Sequence, residues 1–323
     1  MAARLAWGAL LIVAAIAPFG LSGYHLYQFA QVLIYAIALL GLNLLTGFNG
    51  QLSLGHGAFF AIGGYGAAIL IVKFGLPYYF AIPVASLICF IAGFLFGFPA
   101  LRLGGLYLAL ATFALAVATP QVLAFKGFDA YTGGSQGVQI PKPGALFGLP
   151  ISVDQSVYWL CLIVAAALFW LAANLVHSRI GRALVAIRDH PIAAETMGVD
   201  AALYKTITFG VSAFYAGVAG GLDAVAVGFV SPESFGLPLS LAFLVGVVIG
   251  GLASLPGAIF GALFIEFVPN WADQLTVVFG ENAKALPGAV YGVLLILAMA
   301  LAPSGIAGLF RALGRRIAKE TAG

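Results

Sequence analysis

Apolar runs of roughly 17 to 25 residues, long enough for a helix to cross a bilayer, follow one another along this chain with few charges between them. In lipid every backbone amide and carbonyl needs a partner inside the protein, so such runs become helices. The expectation is therefore an all-α, polytopic membrane protein, with residues 1–323 forming a single membrane domain. Composition agrees: 63% of residues are hydrophobic, only 8% are charged, and mean hydropathy is +1.09, which excludes a soluble globular domain. The 42 glycines suit helices that pack backbone against backbone. Cys89 and Cys161 sit inside apolar runs, away from other ligand-type residues, and are read as packing residues.

Taken in order, Arg4 and the apolar stretch to Gly20 imitate a signal peptide, but Pro18 follows the small-residue site and argues for an uncleaved first helix. Further spans are expected at 29–45, 52–73, 80–98, 103–123, 157–176, 206–230 and 237–252, with a shorter one at 257–268 and a last at 286–302. Arg102 marks a tight turn. Residues 125–155, carrying Lys126, Asp129, Lys142 and Asp154, make a long polar excursion. About ten crossings place both termini on the cytoplasmic side, and the excursion becomes a periplasmic loop. The tail, residues 304–323, has an apolar and a basic face and is expected to lie along the inner membrane surface.

One segment breaks the apolar rhythm most sharply. Residues 177–205 contain Arg179, Arg182, Arg188, Asp189, Glu195, Asp200 and Lys205. Arginines outside the lipid are retained on the cytoplasmic side. Residues 183–187 and 192–197 are good helix formers, Asp189 is placed to cap, Pro191 suits a first turn, and Gly198 can stop the second helix. This reads as a cytoplasmic elbow of two helices. The net charge of +3 comes mainly from the elbow and the tail, so it reports topology and does not call for nucleic acid.

The elbow sequence GRALVAIRDHPIAAETMGVD, followed by YKTITFGVSAFYAGVAGGL, resembles the coupling-loop region of LivM-type permease subunits of the branched-chain amino acid ABC transporter family. The resemblance runs upstream through GLNLLTGFNGQLSLGHGAFFAIGGYGAA and TGGSQGV, and downstream through SPESFGLPLSLAFLVGVVIGGLASLPGAIFGA. It implies half of a translocation pathway in a bacterial inner membrane. The implied partners are a LivH-like permease, two cytoplasmic ATP-binding subunits and a periplasmic solute-binding protein. On this reading Arg182, Arg188, Asp189, Glu195 and Gly198 form the surface that receives the ATPases. The chain itself does no covalent chemistry and needs no cofactor or metal. A permease for urea, short amides or other small organic solutes would look alike. A self-contained secondary transporter or channel would have no use for the elbow.

Other motifs have two readings. The G-x-S-x-G match at residues 133–137 lacks the strand and helix of a nucleophile elbow and is read as a turn. No phosphate-binding G-x-x-x-x-G-K-[ST] is present, so ATP must be bound by another chain. Residues 43–66 hold Asn43, Gln51, Ser53 and His56 among seven glycines. They form either a broken or re-entrant helix lining the path, or an ordinary turn with packing glycines. After the elbow, Gly210, Gly217, Gly221 and Gly228 fall within about 40° of one another on a helical wheel, giving a packing stripe. Ser212, Tyr215 and Asp223 lie opposite. A carboxylate at mid-membrane costs roughly 2.5–3.5 kcal/mol, so Asp223 is expected to meet water, a partner or the path. Residues 50–61 and 251–262 share a Ser-Leu, Gly-Ala rhythm, from either a duplication or chance in Gly-rich sequence.

Overall fold

The computed structural model describes residues 14–20, 22–101, 105–142, 152–279, 292, 296 and 305–309. Most of the expected first helix, the Arg102 turn, the last span at 286–302 and most of the tail lie outside the described residues. The principal helices are α1 (Gly23–Asn43), α2 (His56–Val72), α3 (Tyr78–Ala100), α4 (Leu106–Leu123), α5 (Val153–His177), α6 (Arg179–Asp189), α7 (Pro191–Thr196), α8 (Ala201–Val227), α9 (Leu237–Gly250) and α10 (Leu255–Phe279). Among the described residues, six helical stretches are long and apolar enough to cross a membrane: Gly23–Phe48, Tyr78–Pro99, Leu106–Leu123, Val153–His177, Ala201–Val227 and Pro232–Gly250. His56–Val72 and Leu255–Trp271 are shorter apolar helices.

Helix α8 is the centre of the bundle, packing on α3, α2 and α1. It does so through glycine on two faces. Towards α3, a Cβ at Gly210 would touch Phe90, one at Gly217 would lie 2.8 Å from Cys89, and one at Gly221 would meet Ile82. Towards α2, a Cβ at Gly220 would fall on the Phe60 carbonyl, while one at Gly63 would fall on Gly217. The expected stripe thus packs on α3, except that Gly228 is the left-handed C-cap of α8 (φ 74°). Removing every Cβ lets backbones approach where apolar burial between helices has no water to exclude. Cys89 and Cys161 are buried free thiols, as their apolar surroundings indicate.

Several boundaries differ from expectation. Helix α2 starts at His56, since residues 50–55 are non-helical. Helix α10 runs for 25 residues where a short segment was expected, because Pro269 is tolerated inside it. A pair of two-residue strands, β1 (Val138–Gln139) and β2 (Phe229–Val230), joins the 125–142 excursion to the end of α8. Residues 133–137 form the expected turn, with Gly133, Gly134 and Gly137 all at positive φ.

Candidate functional site

The elbow is α6 and α7. Helix α6 buries Leu184 and Ile187 and exposes Arg179, Arg182 and Asp189. Helix α7 starts at Pro191 and closes with a Schellman motif: Gly198 N–H donates to Glu195 O (3.0 Å) and Val199 N–H to Ala194 O (3.0 Å), with Gly198 at φ 84°. Ile187, Ala194 and Ala201 form a small core under it, joined by Val199 and Tyr204. Asp200 caps α8 through Leu203 N–H (3.0 Å). Asp189 does not cap α7, as had been expected; His190 occupies the N-cap position without a side-chain bond. Asp189 instead accepts from Arg188 Nε at 2.9 Å, and that hydrogen bond holds its carboxyl below the ordinary carboxylate range.

The five elbow residues named from sequence do not all point the same way. Arg182, Asp189, Glu195 and Gly198 are exposed. Arg188 is also exposed as a residue, but its guanidinium reaches inward: the side chain is 33% exposed, and Nη1 donates to the Gly47 carbonyl at 2.8 Å. Sequence reasoning weighted charge and passed over Ile192 and Met197, which are 78% and 86% exposed on α7 and just after it. Two large apolar side chains standing free beside Glu195 are the shape of an interface anchor with a polar rim. The signal was there, since both are apolar residues in the most polar stretch of the chain.

Asn43, Gln51, Ser53 and His56 are brought together, all buried, where α1 breaks. Helix α1 passes into a π-helical turn, Leu44–Phe48, and the chain then runs irregularly to His56. Each of these four side chains has a hydrogen-bond partner, whereas the buried Oδ1 of neighbouring Asn49 has none. Asn43 accepts from Ala253 N–H (2.8 Å) and donates to Ser254 O (2.8 Å), clamping the turn between α9 and α10. Gln51 Oε1 accepts from Asn49 (2.7 Å), Ser53 Oγ from Gly55 N–H (3.4 Å), and His56 Nε2 donates to Ala38 O (3.0 Å). Thr112 of α4 and Ser240 of α9 receive the amides of Leu54 (2.9 Å) and Gly57 (3.0 Å). The irregular backbone here is largely covered by protein, with Gly50 and Leu52 exposed. The later segment has a similar local form: Gly50 (φ 73°) and Gly251 (φ 115°) each follow a helix and precede a Ser-Leu pair and another helix.

Asp223 lies apart from that cluster, one turn before the end of α8. Gln31 of α1 donates to its Oδ1 at 3.0 Å and to Tyr27 Oη at 3.0 Å. On this side Asp223 therefore meets a partner across a helix–helix contact, and the residue remains partly exposed. Tyr215 on the same face donates to Leu168 O of α5 (2.9 Å). Asp223→Asn keeps an oxygen for Gln31 and is expected to leave assembly and thermal stability in detergent unchanged or improved. Asp223→Leu removes the acceptor and is expected to cost about 1–3 kcal/mol. Equal losses in the two variants would show that the charge itself stabilises the bundle.

A bundle of apolar helices, broken at a buried polar turn and carrying one exposed elbow with two bare apolar side chains, defines an integral membrane protein. Over residues 24–299 the chain matches the family described as "Branched-chain amino acid transport system / permease component". It is 34% identical over 322 residues to the high-affinity branched-chain amino acid transport system permease protein LivM of Salmonella typhimurium, covering 92% of this chain and 73% of that one. LivM of Escherichia coli K12 gives the same identity and coverage. The permease protein LivH of Escherichia coli K12 is 24% identical over 289 residues, covering 85% of this chain and 91% of LivH. The chain belongs to the branched-chain amino acid transport permease family, and the LivM-type resemblance read from its sequence holds over nearly its whole length.

Proposed function

We propose that this chain is one of two permease halves of an ABC importer in a bacterial inner membrane, paired with a LivH-like sister, and that its solutes are branched-chain amino acids. Two cytoplasmic ATPases would grip the elbow, and a periplasmic binding protein would deliver the solute to the opposite side. The observation that carries this reading is the elbow itself: a Schellman-closed helix with Ile192 and Met197 bare, beside exposed Glu195 and Arg182. Bare apolar side chains with a charged rim suit a docked partner. The family match and the names of the relatives support the transport role and the solute class. The eight apolar helices among the described residues, with the spans expected near 4–20 and 286–302, make ten crossings in one membrane domain with both termini cytoplasmic. The 125–155 excursion and the β1–β2 pair then face the periplasm.

The test is purification after mild solubilisation, with uptake in vesicles. ATPase and sister subunits are expected to co-purify, and leucine, isoleucine and valine to compete for uptake while urea does not. Single cysteines at Tyr131 and Met197, both exposed, report sidedness. An impermeant reagent added to intact cells is expected to label Tyr131→Cys and to spare Met197→Cys. Labelling of both from outside would overturn the ten-span arrangement.

A further inference from the structure

The inward arginine of the elbow has a specific partner. In a regular helix the Gly47 carbonyl would receive the amide of Gln51, but that amide goes to Leu45 O (3.1 Å). The π-helical end of α1 therefore leaves Gly47 O without its intrahelical donor, and the Arg188 guanidinium supplies one at 2.8 Å. A cation there also meets the negative end of the α1 dipole. Gly50, at φ 73°, lets the chain pass directly over Arg188, whose Cγ would be 2.8 Å from a Cβ at that position. On its other side Gly47 lies against the backbone of Ala253. Ala253 has φ 53°, the one non-glycine residue at positive φ among the described residues. Such a conformation persists where surrounding bonds over-determine it, and the Asn43 clamp on Ala253 N–H and Ser254 O does so. Gly305 packs on the adjoining Gly251. One unbroken series of contacts thus runs from the elbow through Arg188 to Gly47, and through Asn43 to the turn between α9 and α10.

We propose that Arg188 and Asn43 are positioning residues that carry displacement of the elbow to the π-helical end of α1 and on to the α9–α10 turn, so that the two helix breaks shift together. The proposal rests on the docking reading above and goes beyond it. Arg188 acts on the inner side of the elbow and is not needed to hold an ATPase. A single π-helical turn inside an otherwise α-helical element is frequent at functional sites.

The test uses the purified complex with its ATPases in lipid vesicles and a cysteine at Leu252, which is exposed on the α9–α10 turn. Cys89 and Cys161 are buried and give little background. In the parent, ATP is expected to change the rate of thiol labelling at position 252. Arg188→Met is expected to retain the ATPases, to make labelling indifferent to ATP, and to reduce uptake by about tenfold or more, as loss of a charged hydrogen bond to a buried carbonyl implies. Arg188→Lys restores a donor and is expected to recover most of the ATP response, which a defect of general stability would not do. Asn43→Ser cuts only the second link and is expected to silence Leu252 with the ATPases still bound. Release of the ATPases by Arg188→Met overturns the proposal by making Arg188 a docking residue. An ATP response that survives both substitutions, or no response in a parent that holds its ATPases, overturns the relay alone. Absence of ATPases from the parent complex sinks the docking reading and the relay with it.

Discussion

Gly220→Leu is expected to abolish accumulation of folded protein. At this position α8 and α2 meet backbone to backbone: an added Cβ would fall on the Phe60 carbonyl and stand 3.0 Å from Gly64 N. Neither neighbour is a flexible side-chain end that can step aside. The same contact is made reciprocally at Gly63, whose Cβ position is filled by Gly217. A leucine would separate the helices along this line and forfeit the dispersion contacts that hold them, since lipid is as apolar as the interface. Overpacking typically costs about 1–3 kcal/mol and occasionally more where nothing yields. Here it strikes the central helix, whose other face is committed to α3, so no relaxation is open to it. Against a total stability of about 5–15 kcal/mol, the loss at this junction is large. Gly20→Leu, with nothing within 4 Å of its Cβ position, is the matched control and is expected to accumulate normally. Size-exclusion profiles of tagged protein in detergent decide the matter, and a normal monodisperse peak for Gly220→Leu would refute backbone contact as the basis of the core.

Why that glycine escaped the sequence reading is instructive. The wheel argument found Gly210, Gly217 and Gly221 because it looked for one stripe, and one stripe does face α3. It had no means of knowing that α8 is enclosed on a second side, so Gly220 remained an anonymous member of an AGGL run. The elbow was legible because its determinants are local: Pro191 opens α7, and Gly198 closes it within eight residues. The particular partner of Asp223 was not legible because Gln31 is 192 residues upstream. Hydropathy registers the cost of a carboxylate in a span and is silent about a remote amide that meets it. Asn43 shows the same limit from the other side. A polar residue among glycines marks a break in the helix, but only the fold shows that its amide is spent on Ala253 and Ser254. The two-residue β1–β2 pair carries no periodicity at all, and neither strand is long enough to announce itself.

Ile192→Asp combined with Met197→Asp is expected to strip the ATPases from the complex and abolish uptake, while insertion and pairing with the sister permease persist. Both side chains stand almost wholly free on the elbow, at 78% and 86% exposure, and neither contributes to the core beneath it. Burying a side chain of this size in an interface is worth roughly 1.5–3 kcal/mol, and two together set a loss of a few hundred-fold or more in affinity. Introduced carboxylates add the cost of desolvating charge. Glu195→Lys, by contrast, alters a rim charge and is expected to change the salt dependence and rate of association more than its final strength. Gly198→Val tests shape without touching chemistry. Nothing lies within 4 Å of its Cβ position, so no clash arises, but φ 84° is strained for a β-branched residue by about 1–3 kcal/mol. The Schellman closure loosens, α7 presents its anchors less well, and retention of the ATPases is expected to fall to a level between parent and double variant. The measurement is subunit retention on purified complexes at two salt concentrations, beside uptake in vesicles. Retention at the parent level in the double aspartate variant would mean that the apolar face of the elbow is not what the ATPases hold, and would return the docking role to its charges.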